Sequence, residues 1–411
     1  MIDNGFLKIT DEANDIAEQF EKAFNTPKQT WLLAAGASFM SNIPLMYPLT
    51  RRVLELARTE TFKDEGEILS TIDFIESDID ENAHIEIFLT HLADLISMSV
   101  RSRDQSAQLG NAKVGFDILT KLHNALLEII SDTIRWGYRE NWAEDGQQLN
   151  PSVGTSEKPI VTIEHHLNFV RAVFGRNRAG LEALRGPVEF FTTNYDTLIE
   201  DALALRGVPY DDGFSGGSIA FWAGYGGAAN PPHKARVVKL HGSIDWVAPK
   251  DDASRLLRVR HHDAYPAPKN QVVIYPQSTK YVNTQLDPFA ELFQRFRVNL
   301  ADGSERVLLV CGYSFGDEHI NQDIEVAMSA PDSQLTLVAF SEERDALPPI
   351  LDDWRKTSWG ERIYIVSNKG LYNGDRGPFW ELDEGRDWWT FTGVTEMLSD
   401  GLPADIQEAM A

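Results

Sequence analysis

Four segments of the sequence place small or polar residues at the end of a short apolar run. They are AAGAS (34–38), FFTTNYD (190–196), KLHGSIDW (239–246) and CGYSFGD (311–317). Small residues let backbone amides approach a pyrophosphate closely, and the hydroxyl of Ser38 can add a further donor. Asn194 and His241 each follow an apolar run, so both can face one cleft. Taken singly, an Asn or a His in such a position is more often structural than functional.

The elements that must position these residues are short apolar runs with little alternation. Strands are predicted at Trp31 to Ala35, Val188 to Thr192, Arg236 to Leu240, Val272 to Tyr275, Arg306 to Val310, Leu335 to Phe340 and Ile363 to Val366. Such runs are typical of parallel strands that are buried on both faces. Helical segments lie between several of them, which predicts an α/β fold with a Rossmann-like open parallel sheet. Ligands bind such sheets at the carboxyl ends of the strands.

A long helical stretch separates the first predicted strand from the second. Apolar residues recur with helical spacing from Ile85 to Ile96 and from Val114 to Ile134, and a third helix is predicted over Ile163 to Phe174. The polar stretch from Asn141 to Lys158 is predicted to be a loop. We therefore predict three parts, in which a helical insertion or subdomain (52–185) interrupts a Rossmann domain. The domain begins at 1–51, and 186–411 contains its remainder with a C-terminal extension.

Composition narrows the possible functions. The 411 residues include one cysteine, so neither an internal disulfide nor a cysteine-rich zinc site can form. The adjacent histidine pairs at 165–166 and 261–262 are poor chelators, because neighbouring side chains on a helix point in different directions. No bound metal is expected. A net charge of −24 disfavours direct binding to nucleic acid. No apolar run is long enough to span a membrane, and the acidic N-terminal segment lacks the apolar core of a secretory signal. We expect a cytoplasmic protein.

Together the four segments resemble the sirtuin-like family. AAGAS, followed by Asn42 to Leu45, resembles the family's GAG-x-S…GIP signature, and TTNYD resembles its TQN-x-D signature. KLHGS resembles the catalytic His-Gly pair, and CGYSFGD resembles the late nucleotide-binding loop. The chain departs from the family at Ala34, where a glycine is usual, and after Pro44, where Leu45-Met46-Tyr47 follow. It also lacks the four zinc-binding cysteines of protein-deacylating sirtuins.

The resemblance implies that NAD is the substrate. The segments FTTNYDTLIE, KLHGSIDW and GYSFGDEHIN are most similar to the corresponding motifs of bacterial antiphage sirtuin-like proteins. Those proteins hydrolyse NAD and deplete it in the infected cell. The residues implied to be catalytic are Asn194, His241 and Asp196, and those implied to bind the dinucleotide are Ala35, Gly36, Ala37, Ser38, Thr193, Gly312, Ser314 and Phe315. His241 would accept a proton and Asn194 would orient the ribose or a water. Asp196 would orient Asn194 or stabilise positive charge, or it would instead cap the start of the next helix.

The resemblance also implies an assembly. A chain of this size without a sensor domain is similar to the subunit that pairs with a HerA-type ATPase, and a homo-oligomer is expected. Two alternatives stay open at this point. The first is a zinc-free, NAD-dependent protein deacylase, and the second is a non-catalytic scaffold that binds NAD or ADP-ribose. The presence of both Asn194 and His241 argues against a scaffold, since a pure binder has no need for the pair.

Overall fold

The computed structural model describes residues 11–26, 28–143, 145–175, 187–225, 233–248, 256–260, 271–274, 288–379 and 385–403. The helices are α1 (Asp11–Phe24), α2 (Ala35–Phe39), α3 (Met46–Leu56), α4 (Gly66–Asp78), α5 (Ile85–Arg101), α6 (Phe116–Trp136), α7 (Glu164–Gly175), α8 (Leu198–Leu205), α9 (Phe289–Leu300), α10 (Glu318–Ser329), α11 (Pro349–Trp354) and α12 (Phe391–Asp400). The strands are β1 (Gln29–Leu33), β2 (Ser106–Leu109), β3 (Ala112–Gly115), β4 (Tyr138–Trp142), β5 (Gln148–Val153), β6 (Val188–Thr192), β7 (Tyr210–Asp211), β8 (Phe214–Gly216), β9 (Ile219–Trp222), β10 (Ala235–Lys239), β11 (Gly242–Ala248), β12 (Leu257–Val259), β13 (Gln271–Ile274), β14 (Arg306–Cys311), β15 (Leu335–Phe340), β16 (Ile363–Val366), β17 (Leu371–Asn373) and β18 (Arg376–Phe379).

The main sheet has the strand order β18-β17-β16-β15-β14-β1-β6-β10-β7. Strands from β16 to β7 pair in parallel, whereas β17 and β18 add an antiparallel edge. The first strand, β1, lies between β14 and β6, so the direction of winding changes beside it. The predicted α/β class with an open, mainly parallel sheet is confirmed. Its ligand-binding position is expected at this switch point, outside the carboxyl ends of β1, β6 and β14.

Helices cover both faces of this sheet, which explains why its strands lack alternation. In β1, Trp31 and Leu33 pack into one apolar cluster with α1, α7 and α12. Leu32, between them, packs into the opposite cluster with α9 and α10. Successive side chains of a strand point to opposite faces, so a sheet buried on both faces requires apolar residues at every position. The same division places Phe190 and Phe191 of β6 on opposite faces.

A second sheet was not predicted. Its strand order is β13-β11-β12-β9-β8, and its pairs are antiparallel. The strand predicted at Val272 to Tyr275 corresponds to β13. The prediction that it belongs to the parallel sheet is wrong, because β13 pairs antiparallel with β11. The prediction failed because a short apolar run does not reveal which partner it pairs with.

The helical stretch forms a cluster of its own. Apolar side chains of α3, α4, α5 and α6 pack together and also contact Tyr195, Leu198 and Ile244. Helix α7 instead packs on the main sheet, where Phe169 lies 4.9 Å from Trp31 between ring centroids. The predicted loop at Asn141 to Lys158 is wrong in part, since β4 and β5 form a hairpin whose second strand is exposed along its whole length. The predicted boundaries at 51 and 185 stay a prediction.

The described residues lack two features that the sequence analysis considered. Within the described ranges, no helix has the length and apolar character that crossing a bilayer requires. In the same part of the chain, no group of three or more His, Cys, Asp or Glu side chains has the geometry to hold a metal ion. The pair His261-His262 lies outside the described residues.

Candidate functional site

A cleft of about 1900 Å³ opens outside the carboxyl ends of β1, β6, β10 and β14. The predicted site residues that line it are Ala35, Gly36, Ser38, Thr193, Asn194, Asp196, His241, Gly312 and Ser314. Two predicted residues do not line it. Ala37 and Phe315 are buried in the apolar clusters on opposite faces of the sheet. The topology therefore brings most of the predicted residues together from four separate parts of the chain.

The ends of β1 and β14 touch through two glycines. The Gly36 amide donates to the Gly312 carbonyl at 2.9 Å, and the Ala37 amide donates to the Ala34 carbonyl at 2.8 Å. A Cβ on Gly312 would lie 2.3 Å from the Ala37 nitrogen, and its φ of +70° is one that L side chains rarely adopt. Both amides have an acceptor within the protein. The pyrophosphate-binding role that the sequence implies for Gly36 and Ala37 stays a prediction.

This close approach predicts a stability effect. We expect Gly312→Ala to lower the free energy of unfolding by about 2–5 kcal/mol, because it combines overpacking with a strained backbone. Gly303→Ala is the matched control, since Gly303 also has positive φ (+63°) but no atom lies within 4 Å of its Cβ position. Gly303→Ala is expected to lower the free energy of unfolding by about 1 kcal/mol. Denaturant unfolding of both variants measures the difference, and equal losses would contradict the close packing of the two loops.

Asn194 is tied to the loop after β1. Its side-chain nitrogen donates to the Ala34 carbonyl at 3.1 Å and to the Ser38 hydroxyl at 3.0 Å. The Ser38 hydroxyl donates in turn to Asp196 Oδ2 at 2.8 Å. Because the Ala34 carbonyl can only accept, the amide orientation is fixed and the Asn194 carbonyl oxygen is the group offered to a ligand.

Asp196 combines two of the roles that the sequence left open. Its Oδ2 supports Asn194 indirectly, through Ser38, and its Oδ1 accepts from the Leu198 amide at 3.0 Å at the start of α8. Beneath it, the buried Lys239 ammonium donates to the Asp196 carbonyl and lies 3.4 Å from the Glu200 carboxylate. Burial raises the pKa of Glu200 to about 7, and the Lys239 charge opposes part of that rise. The loop that carries Asn194 is thus held on both sides.

His241 lies between two carboxylates that the sequence analysis missed. Its Nε2 is 3.1 Å from Asp317 Oδ2, and its Nδ1 is 3.9 Å from Glu86 Oε1. All three side chains are buried. His241 follows β10, Asp317 precedes α10, and Glu86 lies in the first turn of α5. The helical cluster therefore contributes a charged group to the cleft.

Both carboxylates are themselves fixed. Asp317 Oδ1 accepts from the His319 amide at 2.9 Å, and its backbone carbonyl accepts from the Tyr313 hydroxyl at 3.1 Å. Glu86 Oε1 accepts from the Tyr195 hydroxyl. Burial and the neighbouring Glu86 charge hold the pKa of Tyr195 well above its usual value, so Tyr195 stays a donor. Two features of the sequence could have indicated Asp317 and Glu86. One is the aspartate that ends CGYSFGD, and the other is a charged residue within an apolar helical stretch.

Other groups complete the walls of the cleft. Phe39, Met40, Leu45 and Tyr47 form an exposed apolar rim after β1. Trp388 and Phe391 also line the cleft, and both are buried in the sheet's apolar cluster.

His166 lies behind the rim and is structural. It is fully buried, and its Nδ1 is 3.4 Å from the Ser41 hydroxyl. Its ring lies 4.8 Å from Phe391 between centroids. Burial lowers the pKa of His166 to about 4, so the ring is neutral near pH 7. This contact joins α7 to the segment that follows α2.

Comparisons with known proteins point to one family. A family model described as a SIR2-like domain matches residues 188–362. The match covers less than half of the chain and includes Asn194, His241 and Asp317. A comparison with curated protein sequences finds no match.

The solved structures to which the chain is similar include a Sir2 homologue in complex with NAD. That structure has 12% identity and a TM-score of 0.36, with 99% of this chain and 98% of that chain covered. A mutant Sir2 homologue in complex with ADP-ribose has 13% identity and a TM-score of 0.34, with 96% and 97% covered. A second such mutant complex has 13% identity and a TM-score of 0.32, with 79% and 85% covered.

Proposed function

We propose that the chain is an NAD glycohydrolase, which converts NAD and water into nicotinamide, ADP-ribose and a proton. The observation that carries this proposal is a buried imidazole, His241, held beside carboxylates in the same cleft as Asn194. Two further facts support it. The cleft lies at the switch point of a parallel sheet, where such folds bind ligands. The SIR2-like match includes both residues.

The bond to be broken sets what the site must supply. The nicotinamide–ribose bond breaks through an oxocarbenium-like transition state, and the cationic pyridinium departs as neutral nicotinamide. The departing side therefore needs little acid catalysis. The buried carboxylates of Glu86 and Asp317 favour positive charge that develops in the cleft. The Asn194 carbonyl can orient a ribose hydroxyl or the attacking water, and His241 can accept its proton.

Hydrolysis is favoured over protein deacylation by the chain's cysteine content. The zinc module of protein-deacylating sirtuins needs four cysteines, and the sequence has only Cys311. This residue lies in β14, where it packs in the apolar cluster of the sheet. Burial raises the pKa of the Cys311 thiol to about 12, so it is not a reactive thiolate near pH 7.

One assay separates the three functions considered for the cleft. The purified chain is incubated with NAD, with and without an acylated peptide, and free nicotinamide is measured. Release from NAD alone is the expected result for a glycohydrolase. Release only with peptide would identify a deacylase. Bound NAD without release, in the presence of candidate partners as well, would identify a scaffold.

We further propose that the reaction serves bacterial antiviral defence in the cytoplasm, by depleting NAD, and that a HerA-type ATPase gates it. The proposal rests on the sequences of the four motifs. It also rests on the need to restrain an NADase, because a constitutively active one would kill the cell that makes it. The helical cluster offers a surface for such gating. On α5, Ile87, Met98 and Val100 are 41%, 48% and 62% exposed. Ile87 and Met98 lie on the same face of α5, and we expect a partner to contact this face.

The gating proposal predicts a latent enzyme. We expect the isolated chain to be a homo-oligomer with weak NAD turnover, and we expect turnover to rise when a HerA-type ATPase is added. Mass measurement of the chain, alone and with the ATPase, is paired with NAD turnover in each state. A monomer with full turnover and no response to the ATPase would contradict gating and leave the NADase proposal standing.

A further inference from the structure

Lys239 is an exception within the main sheet. It is the last residue of β10 and is only 2% exposed, although strands that are buried on both faces require apolar side chains. We propose that Lys239 is a positioning residue, whose side-chain nitrogen fixes the turn that carries Asn194 relative to His241. The effect on turnover rests on the proposed function, whereas the fixing of the turn can be measured without it.

The direction of the Lys239 side chain follows from strand alternation. Val237, two residues earlier, packs in the apolar cluster that contains side chains of α8, and Val238 packs in the cluster on the opposite face. Successive side chains of a strand alternate, so Lys239 points to the face that α8 covers. The partners of its nitrogen are the Asp196 carbonyl, to which it donates, and Glu200 Oε1 of α8, which lies 3.4 Å away.

The Asp196 carbonyl has no donor from the helix that follows it. The first amide bond at the start of α8 runs from the Asp201 nitrogen to the Thr197 carbonyl, at 2.9 Å. Among the contacts of the described residues, no backbone amide donates to the Asp196 carbonyl. A buried carbonyl without a donor is costly, so we expect the turn to shift when the Lys239 nitrogen is removed.

The strand end that carries Lys239 also carries His241. Lys239 pairs with Thr192 in the parallel register of β10 and β6, and the Leu240 amide donates to the Thr192 carbonyl at 2.8 Å. Asn194 follows the end of β6 by two residues, and His241 follows the end of β10 by two residues. Lys239 therefore ties the end of one strand to the turn after the other, and it fixes the spacing of the two side chains proposed to act on NAD.

A role in the ion pair alone makes a different prediction. If Lys239 acts only through Glu200, replacing both by apolar side chains should restore both stability and turnover, because buried ion pairs can be replaced in this way without loss. Burial raises the pKa of Glu200 to about 7, so its carboxylate is only partly charged near pH 7. The Asp196 carbonyl accepts at any pH, which makes it the constant partner of Lys239.

The test compares Lys239→Met, Glu200→Gln and the double variant Lys239→Met/Glu200→Met in the full-length chain. Hydrogen–deuterium exchange of peptides that cover 193–198 measures the turn, and kcat and KM for NAD measure the site. In Lys239→Met and in the double variant, we expect faster exchange there and a kcat at least about tenfold lower, with a smaller change in KM. Glu200→Gln keeps an acceptor for Lys239 and should stay close to the wild type in both readouts.

Unfolding midpoints of all variants show whether the fold is retained. The double variant should unfold within a few degrees of the wild type. Lys234→Met is the matched control, because Lys234 is exposed just before β10, and it should change neither readout. Lys239→Gln, whose amide can donate from a side chain one atom shorter, is the second variant at this position. We expect it to exchange at a rate between those of the wild type and Lys239→Met.

Several results would overturn the inference. Unchanged exchange over 193–198 in Lys239→Met would show that the nitrogen does not hold the turn. Recovery of turnover in the double variant, or an equal loss in Glu200→Gln, would assign Lys239 to the ion pair alone. Faster exchange with unchanged turnover would show that the position of the turn does not matter for the reaction. If the wild type does not cleave NAD in any state, the proposed function fails, and exchange alone then decides whether Lys239 fixes the turn.

Discussion

Replacement of His241 by alanine is expected to abolish NAD cleavage, with kcat lowered by roughly 10²–10⁴-fold, the usual contribution of a general base. NAD binding should change by less than about tenfold, because the imidazole acts on the proton step and not on the dinucleotide as a whole. Steady-state turnover and direct binding of NAD, measured on the same preparation, separate the two effects. A variant that keeps more than about a tenth of the wild-type turnover would exclude His241 as the base.

The surroundings of His241 require a second variant. Alanine leaves the buried carboxylates of Asp317 and Glu86 without the imidazole between them, and an uncompensated buried charge is destabilising. His241→Asn keeps an N–H donor for Asp317 but no group that can act as a base. It is expected to lose turnover as fully as alanine and to retain more stability. His91→Ala, on α5 and outside the cleft, is the control for loss of a histidine.

The sequence could predict the main sheet because its strands have no solvent-facing side. Trp31, Leu32 and Leu33 are all buried, so β1 is a continuous apolar run that is easy to recognise. The carboxyl ends of parallel strands meet at one edge, and polar residues after such runs are therefore expected to converge. Asn194 and His241 were predictable for this reason, although they lie far apart in the chain.

The second sheet and the hairpin could not be predicted in the same way. Strand β5 is exposed throughout, so no apolar periodicity marks it. Strand β8 has three residues and ends at Gly216, whose φ of +140° suits a turn more than a strand. Strand character here comes from pairing with distant segments, and local propensity does not contain that information.

Glu86 and Asp317 were missed for different reasons. Asp317 was visible at the end of CGYSFGD, but its role as the first residue of a helix was sufficient to explain it. Glu86 lies on a helix whose apolar residues dominate the pattern, and only the packing of α5 against Tyr195 brings it to the cleft. A partner set by tertiary packing between distant segments leaves no regular spacing in the sequence.

Asn194→Ala is expected to be nearly as damaging as the loss of His241. The substitution removes the carbonyl that would orient the ribose or water, and it also removes the two donors to the Ala34 carbonyl and to Ser38. Ser38→Ala isolates the second effect, because it keeps the Asn194 carbonyl while breaking the link to Asp196. We expect Ser38→Ala to lower kcat by about tenfold, well short of the loss in Asn194→Ala.

The double variant Asn194→Ala/His241→Ala tests whether the two residues act on one step. Residues that serve the same step are not additive, so the double variant should be little slower than either single variant. If the losses multiply, Asn194 and His241 contribute independently and do not share one catalytic step. Unfolding midpoints of all four proteins are measured in parallel, because a shared loss of stability would also lower turnover. Equal midpoints with non-additive losses would place both side chains in the same catalytic step.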